Sequence, residues 1–376
     1  MVAIPLGIGD WESSSQDIPR LKMNNMYVTE NPSSEDGFSR ISRPTLSPLF
    51  TVGAGPIYGF WRQSGTFSGD LLIVSNESLY RVDPSDNSQT ALGSIPGSGY
   101  VHFSGTTDRV ILCRDGIAYS TDGATITTVT MPDDREVEAS ATINGYFILI
   151  EKNEDRFYWI EPGGTDPDAL DFATAERSPD ALTSVNIVSD EIWLLGKHGP
   201  EVWTPTGDSE DPFRRVSGRI YNEGCLSRDT VADTSINGVP AVIWITEKKA
   251  VVVAQGTPKK VSNESVEELL KTEDDLRCWA FRHNRHDFYI ITSPSFTLVY
   301  DITTGFWSKW SSYQQPNWRA HLGVQNGTTM YAGDSTTNNV WLLDEGLSDN
   351  GDPVVREVSG FIPSNSRPYN AAAVHA

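Results

Sequence analysis

A hairpin pattern recurs along this chain at a nearly fixed interval. Each copy is an apolar run, a polar turn, a second run with aromatics, and a closing turn of Gly, Asp or Pro. The copies begin at Leu71, Val110, Tyr146, Glu191, Val242, Phe288 and Thr329, about 43 residues apart on average. VILCRDGIAYSTDG and YFILIEKNEDRFYWIEPGG are two of them. Short runs rich in Val, Ile, Tyr, Phe and Trp, bounded by turn residues, read as strands. A four-stranded antiparallel blade with its turns takes roughly 40–50 residues. Such a sheet is apolar on both faces, and stacking against neighbours in a ring covers both. The chain is therefore expected to be all-β, a β-propeller of six or seven blades. The seventh hairpin either completes a blade, closes the ring or begins a further domain.

The flanks differ from this body. Residues 1–52, rich in Ser, Pro and Asn, read as an extended N-terminal arm with one short strand at Met26, Tyr27 and Val28. Residues 53–346 form the propeller. Residues 347–376 read as a C-terminal extension or the start of a truncated β-domain, with a small, polar, proline-bearing tail. One short helical insertion interrupts the blades. In SNESVEELL, Ser265 and Glu268 have the spacing of a capping box. Val266, Leu269 and Leu270 follow at helical spacing, which predicts a helix over 264–272. It either covers a blade edge or meets a partner. Asp83, Asp301 and Asp344 each follow a hairpin's second strand, where a carboxylate closes a turn.

The 376 residues are ample for a large core, with 10% aromatics, and the formal net charge is -21. That balance opposes sequence-independent DNA binding, which needs Lys and Arg to displace counterions from phosphates. The longest basic clusters are the pairs Lys248-Lys249 and Lys259-Lys260. Cys113, Cys225 and Cys278 are odd in number and widely spaced, so three reduced, buried thiols are expected rather than a disulfide framework or a metal knuckle. The start of the chain lacks the charged and apolar regions of a signal peptide, and no apolar run has the length of a membrane span. Folding in a cytoplasm is the expectation.

The chemistry-bearing patterns are absent: no G-x-G-x-x-G, Walker A, H-E-x-x-H or G-x-S-x-G. His283 and His286 lie three apart with no third ligand at suitable spacing, which points to a surface turn rather than a zinc site. The acids concentrate in turns, as at Asp133-Asp134, whereas glycoside hydrolysis needs two carboxyls facing each other across a cleft. The Asn-x-Ser/Thr triplets at Asn76, Asn263 and Asn326 are chance matches. No catalytic, cofactor-binding or metal-binding residue is assigned, no cofactor is expected, and the chain is not expected to be an enzyme.

Three stretches, in order, carry a resemblance. The first is PRLKMNNMYVTENP followed by SRISRPTLSPL. The second is EIWLLGKHGPEVWTPTGD running into EGCLSRDTVA. The third is VSNESVEELL followed by RHDFYIITSPSFTLVYDITTGFWSKWSS, with His286, Phe288, Tyr289, Tyr300, Asp301, Trp307 and Trp310 in the family's order. Together they resemble the packaged-DNA stabilisation (tail-hub or nozzle) proteins of short-tailed bacteriophages. Thr45 stands where that family usually has Gly. The resemblance implies a structural subunit of the virion tail, made in the bacterial host cytoplasm. It implies a homohexameric ring below the portal-adaptor that extends the DNA channel and retains packaged genome until ejection. The implied partners are the portal-adaptor ring and tail needle, spike or fibre proteins. Packaged DNA would pass the lumen without sequence-specific binding, and no membrane is involved. Family members usually carry a β-domain after the propeller. REVSGFIP reads as its first strand, so this member is either short or lacks the remainder.

A second reading is a receptor- or glycan-binding, possibly glycan-cleaving, propeller. Trp307, Trp310 and Trp318 are its candidate sugar platform. They otherwise pack between blades.

Overall fold

The computed structural model describes residues 22–34, 37–175, 180–361 and 371–375. Seven four-stranded antiparallel blades follow one another around an axis. The first runs Ile57–Trp61, Leu71–Ser75, Ser78–Val82 and Gln89–Ser94 from the axis outward. The second spans His102–Gly105 to Ile126–Thr128, the third Val137–Ile143 to Phe172–Thr174, and the fourth Leu182–Val188 to Phe213–Ile220. The fifth spans Val231–Ile236 to Lys259–Lys260, and the sixth Arg277–His283 to Phe306–Lys309. The seventh takes three strands from Ala320–Asn326, Thr329–Asp334 and Asn339–Asp344, and its fourth from Thr45–Thr51. Each of the seven hairpins read from the sequence supplies the second and third strands of one blade.

First strands of neighbouring blades touch around the axis, including those of the seventh and first blades, except that the fourth blade's first strand meets the second strand of the fifth. Each pair of neighbours encloses one apolar cluster. Ile111, Leu149 and Tyr158 lie between the second and third blades. Val52, Ile57, Leu322 and Val340 lie between the seventh and the first, which closes the ring. Fully burying one such side chain is worth about 1.5–3 kcal/mol, so the seven clusters dominate stability.

The N-terminal stretch departs from expectation. In place of one strand it holds Lys22–Asn24, Met26–Glu30, Phe38–Ser42 and Thr45–Thr51. Met26–Glu30 and Phe38–Ser42 form a hairpin of their own. Thr45–Thr51 lies within the residues read as an arm, yet it pairs with Asn339–Asp344. Its Pro48 is tolerated because the strand is an edge, where a missing N–H breaks no further ladder. Leu46 turns inward and is fully buried. The helix spans Glu264–Leu270, and its cap is Asn263, whose side chain accepts from the Val266 N–H at 3.0 Å, rather than the Ser265–Glu268 box. Val266 and Leu270 enter the cluster between the fifth and sixth blades. After the seventh blade, Glu357–Phe361 forms the strand expected from REVSGFIP, and Ala371–His375 pairs with it. Residues 362–370 of the tail lie outside the described residues.

Candidate functional site: the seam between the two ends of the chain

The sixth blade is widened by strands from both ends of the chain. Lys22–Asn24 lies parallel to Phe306–Lys309, and Glu357–Phe361 lies antiparallel to Lys22–Asn24, with Lys22 opposite Ser359. The Lys22 N–H donates to Ser359 Oγ at 3.0 Å and Asn24 Nδ2 to Glu357 Oε2 at 3.1 Å.

Asn25 turns the chain out of this sheet at φ 55. Asn tolerates that left-handed conformation better than most residues with a side chain. Its amide joins three distant segments. Nδ2 donates to the Val355 carbonyl at 2.7 Å, while Oδ1 accepts from Arg43 Nε at 2.8 Å and the Ser311 N–H at 2.7 Å.

Arg43 lies behind Asn25 and is 1% exposed. Nη1 donates to Asp349 Oδ1 at 3.1 Å and the Pro44 carbonyl at 2.8 Å, and Nη2 to Asp349 Oδ2 at 2.6 Å and the Ser311 carbonyl at 2.9 Å. With Nε on Asn25, all five guanidinium donors are used. The guanidinium carbon lies 5.4 Å from the centre of the Trp318 ring. Asp349 also accepts from the Leu46 N–H at 3.0 Å. One ion pair thus fixes both the closing strand of the seventh blade and the segment that follows that blade.

Tyr27 packs edge-on against His286 at 4.9 Å and Phe288 at 5.1 Å between ring centres. Burial raises the Tyr27 hydroxyl above its ordinary pKa. Trp310 Nε1 donates to the Met26 carbonyl at 3.3 Å. His286 is 6% exposed with Nδ1 2.7 Å from Asp301 Oδ2, so it is not the surface-turn histidine expected. Asp301 also accepts from the Thr303 N–H at 3.0 Å and the Thr304 hydroxyl at 2.7 Å, as a turn-closing carboxylate does. The first and third stretches that carry the resemblance therefore meet here. The second lies in the fourth blade and the turn into the fifth. There a Cβ at Gly224 would collide with the Lys197 carbonyl, and buried Cys225 donates its N–H to the Gly196 carbonyl at 2.9 Å.

Beside the ion pair opens a cavity of about 320 Å3 lined by Ser312, Tyr313, Asn317, Arg319, Trp341 and Asp349. Tyr313 is 41% exposed at its edge. Arg319 Nη2 lies 2.7 Å from Asp334 Oδ2, which also accepts from Trp341 Nε1 at 3.0 Å. The lining offers paired charges, amides and a partly exposed phenol. Trp307, Trp310 and Trp318 are 4%, 1% and 0% exposed, so the expected sugar platform offers no open ring face. Among the described residues no three His, Cys, Asp or Glu side chains gather to hold a metal. Asn25 and Arg43 fall in the first stretch of the resemblance, but their bonds, and Asp349 altogether, were missed from the sequence. The only local signal was a basic residue before Pro44, and its partner lies 306 positions away.

A family model described as bacteriophage P22 Gp10, beta-propeller, matches residues 2–348. No curated protein matches the chain. Solved structures share the fold at low identity. One is a structure of U3-55K (TM-score 0.51, 10% identity, 80% of this chain and 98% of that one). Another is BBS1N in complex with ARL6DN (TM-score 0.51, 13% identity, 81% and 99%). A third is the RRP9 WD40 repeats (TM-score 0.50, 11% identity, 81% and 99%).

Proposed function

The chain belongs to the bacteriophage P22 Gp10 β-propeller family, and on that premise we propose that it is a non-enzymatic structural subunit of a phage tail ring. The ring sits below the portal-adaptor, lengthens the DNA channel and helps retain the packaged genome until ejection. It is a homohexamer that also holds needle, spike or fibre proteins. The subunit is made in the host cytoplasm and incorporated into the virion.

The observation that carries this reading is the seam. A closed propeller whose flanking segments are laced onto its sixth and seventh blades by hydrogen bonds and a buried ion pair suits a ring subunit under pressure. Charge agrees with the role. Each copy carries a formal -21, and a wall of that sign repels phosphate at close range, so DNA slides rather than sticks. The buried tryptophans remove the main support for glycan binding.

Native mass spectrometry and electron microscopy of the purified protein, alone and with tail components, test the reading. A closed ring, alone or on the adaptor, is expected. A persistent monomer that never joins a tail overturns it.

A further inference from the structure

The propeller axis holds a second feature, unrelated to the seam. The inner strands of the first five blades border an open cavity of about 220 Å3. Its polar lining includes Ser104, Ser140, Thr142, Asn186, Arg228 and Asp233. Arg228 stands on the turn Arg228–Thr230 that leads into the fifth blade.

Its guanidinium makes no hydrogen bond or ion pair with any described residue, and its Nε is shut off from solvent without an acceptor. Other deeply set guanidiniums keep at least one acceptor, although Nη2 of Arg114 and Nε of Arg277 are likewise buried without one. Arg43 uses every donor, Arg114 donates to the carbonyls of Gly99, Asn76 and Ile95, and Arg277 donates to Asp229 at 2.8 Å. The acids near Arg228 attract it through space but make their hydrogen bonds elsewhere. Asp229 accepts from Arg277 and from His102 Nε2, both at 2.8 Å. Asp233 accepts from Asn186 Nδ2 at 2.8 Å.

An enclosed charged donor without an acceptor is costly, and such a group in a native protein calls for an unseen ion or water. Donors beside it complete a site. Ser104 and Ser140 lie 2.7 Å apart and spend one hydroxyl hydrogen on each other, which leaves one to donate. The Thr142 hydroxyl is likewise buried without a partner. We propose that this channel cavity binds a small inorganic oxyanion of the phosphate class, held by Arg228 and the hydroxyls of Ser104, Ser140 and Thr142. The ion would tie the second, third and fifth blades together at the axis. The net charge of the chain opposes anions at long range, so the site works at salt concentrations that screen that field.

Thermal unfolding at pH 7 in about 0.1 M NaCl, where the Debye length is roughly 10 Å, tests this. Inorganic phosphate at tens of millimolar is compared with added NaCl of equal ionic strength. Phosphate is expected to raise the Tm of the wild-type chain by about 2 °C over chloride, and to give R228M no such advantage. Equal responses to the two salts in the wild-type chain, or an undiminished phosphate effect in R228M, overturn the proposal. If R228M does not fold, equilibrium dialysis of the wild-type chain and S140A against labelled phosphate decides. Saturable uptake of one ion per chain, weakened in S140A, supports the site, and no uptake removes it.

Discussion

Arg43 and Asp349 form a two-pronged ion pair that spans nearly the whole chain and lies almost wholly out of water. Breaking one partner of such a pair leaves an uncompensated buried charge. R43M or D349L alone is therefore expected to cost about 3–5 kcal/mol in denaturant unfolding. The double variant should recover part of that loss, because neither charge remains. Additive losses in the double variant would show that the pair acts through packing rather than through charge.

Leu46 reports on ring closure. It is 1% exposed and joins Trp341, Leu343 and Phe281 between the last two blades. L46A is expected to cost about 2–5 kcal/mol. L49A, on the same strand but 37% exposed, should cost far less. Urea unfolding of both variants checks whether Thr45–Thr51 is part of the cooperative unit, and equal, small losses would place it outside.

His102 sets a pH dependence. Burial, then the charge of Arg228, lowers its pKa from 6.5 to about 4 against the opposing Asp229 contact. The unfolded chain takes up this proton first as pH falls. The stability is therefore complete above about 6.5 and lost as pH drops from 6.5 toward 4, by roughly 3 kcal/mol at most. Asp229 adds a loss at lower pH. Burial disfavours its ionised form, but the hydrogen bond from His102 and the guanidiniums of Arg277 and Arg228 outweigh that and hold its carboxyl well below the usual range. Unfolding free energies at pH 7 and pH 5 should differ less in H102N than in the wild-type chain. An unchanged difference would remove His102 as the cause.

The cysteines are silent in the folded protein. Burial pushes the thiols of Cys113 and Cys278 up to about 12 and that of Cys225 to about 11. A thiol-specific reagent at pH 8 should find none of the three in the native chain and all three in denaturant. Rapid labelling of a native thiol would mean that a blade opens locally.

The sequence revealed the blades because each central hairpin carries its own alternation and its own turn. Outer strands were harder to see. Ile126–Thr128 and Lys259–Lys260 are short and mostly exposed, and Thr45–Thr51 carries a proline and pairs with a strand at the far end of the chain. The helix was legible in position, but a competing cap one turn-start earlier, Asn263, won the N-terminal N–H. In the seam, Asn25, Tyr27, Arg43 and His286 all fall in the stretches that carry the resemblance. Asp349 does not, and no local pattern marks the bonds that Asn25 and Arg43 make, because Arg43 and Asp349 meet across three hundred positions. Arg228 was equally plain in SRDTVA, since a missing partner is a property of space and not of spelling.

The closing strand also sets a clock. Thr45–Thr51 leaves the ribosome long before Asn339–Asp344, the strand it must join. Until then the seventh blade cannot be completed, and its apolar surfaces facing the sixth and first blades stay uncovered. Contacts so remote in sequence form slowly. An interrupted translation product therefore cannot pass for the finished subunit, and the same strand that shuts the ring acts as a proof that the whole propeller has been made.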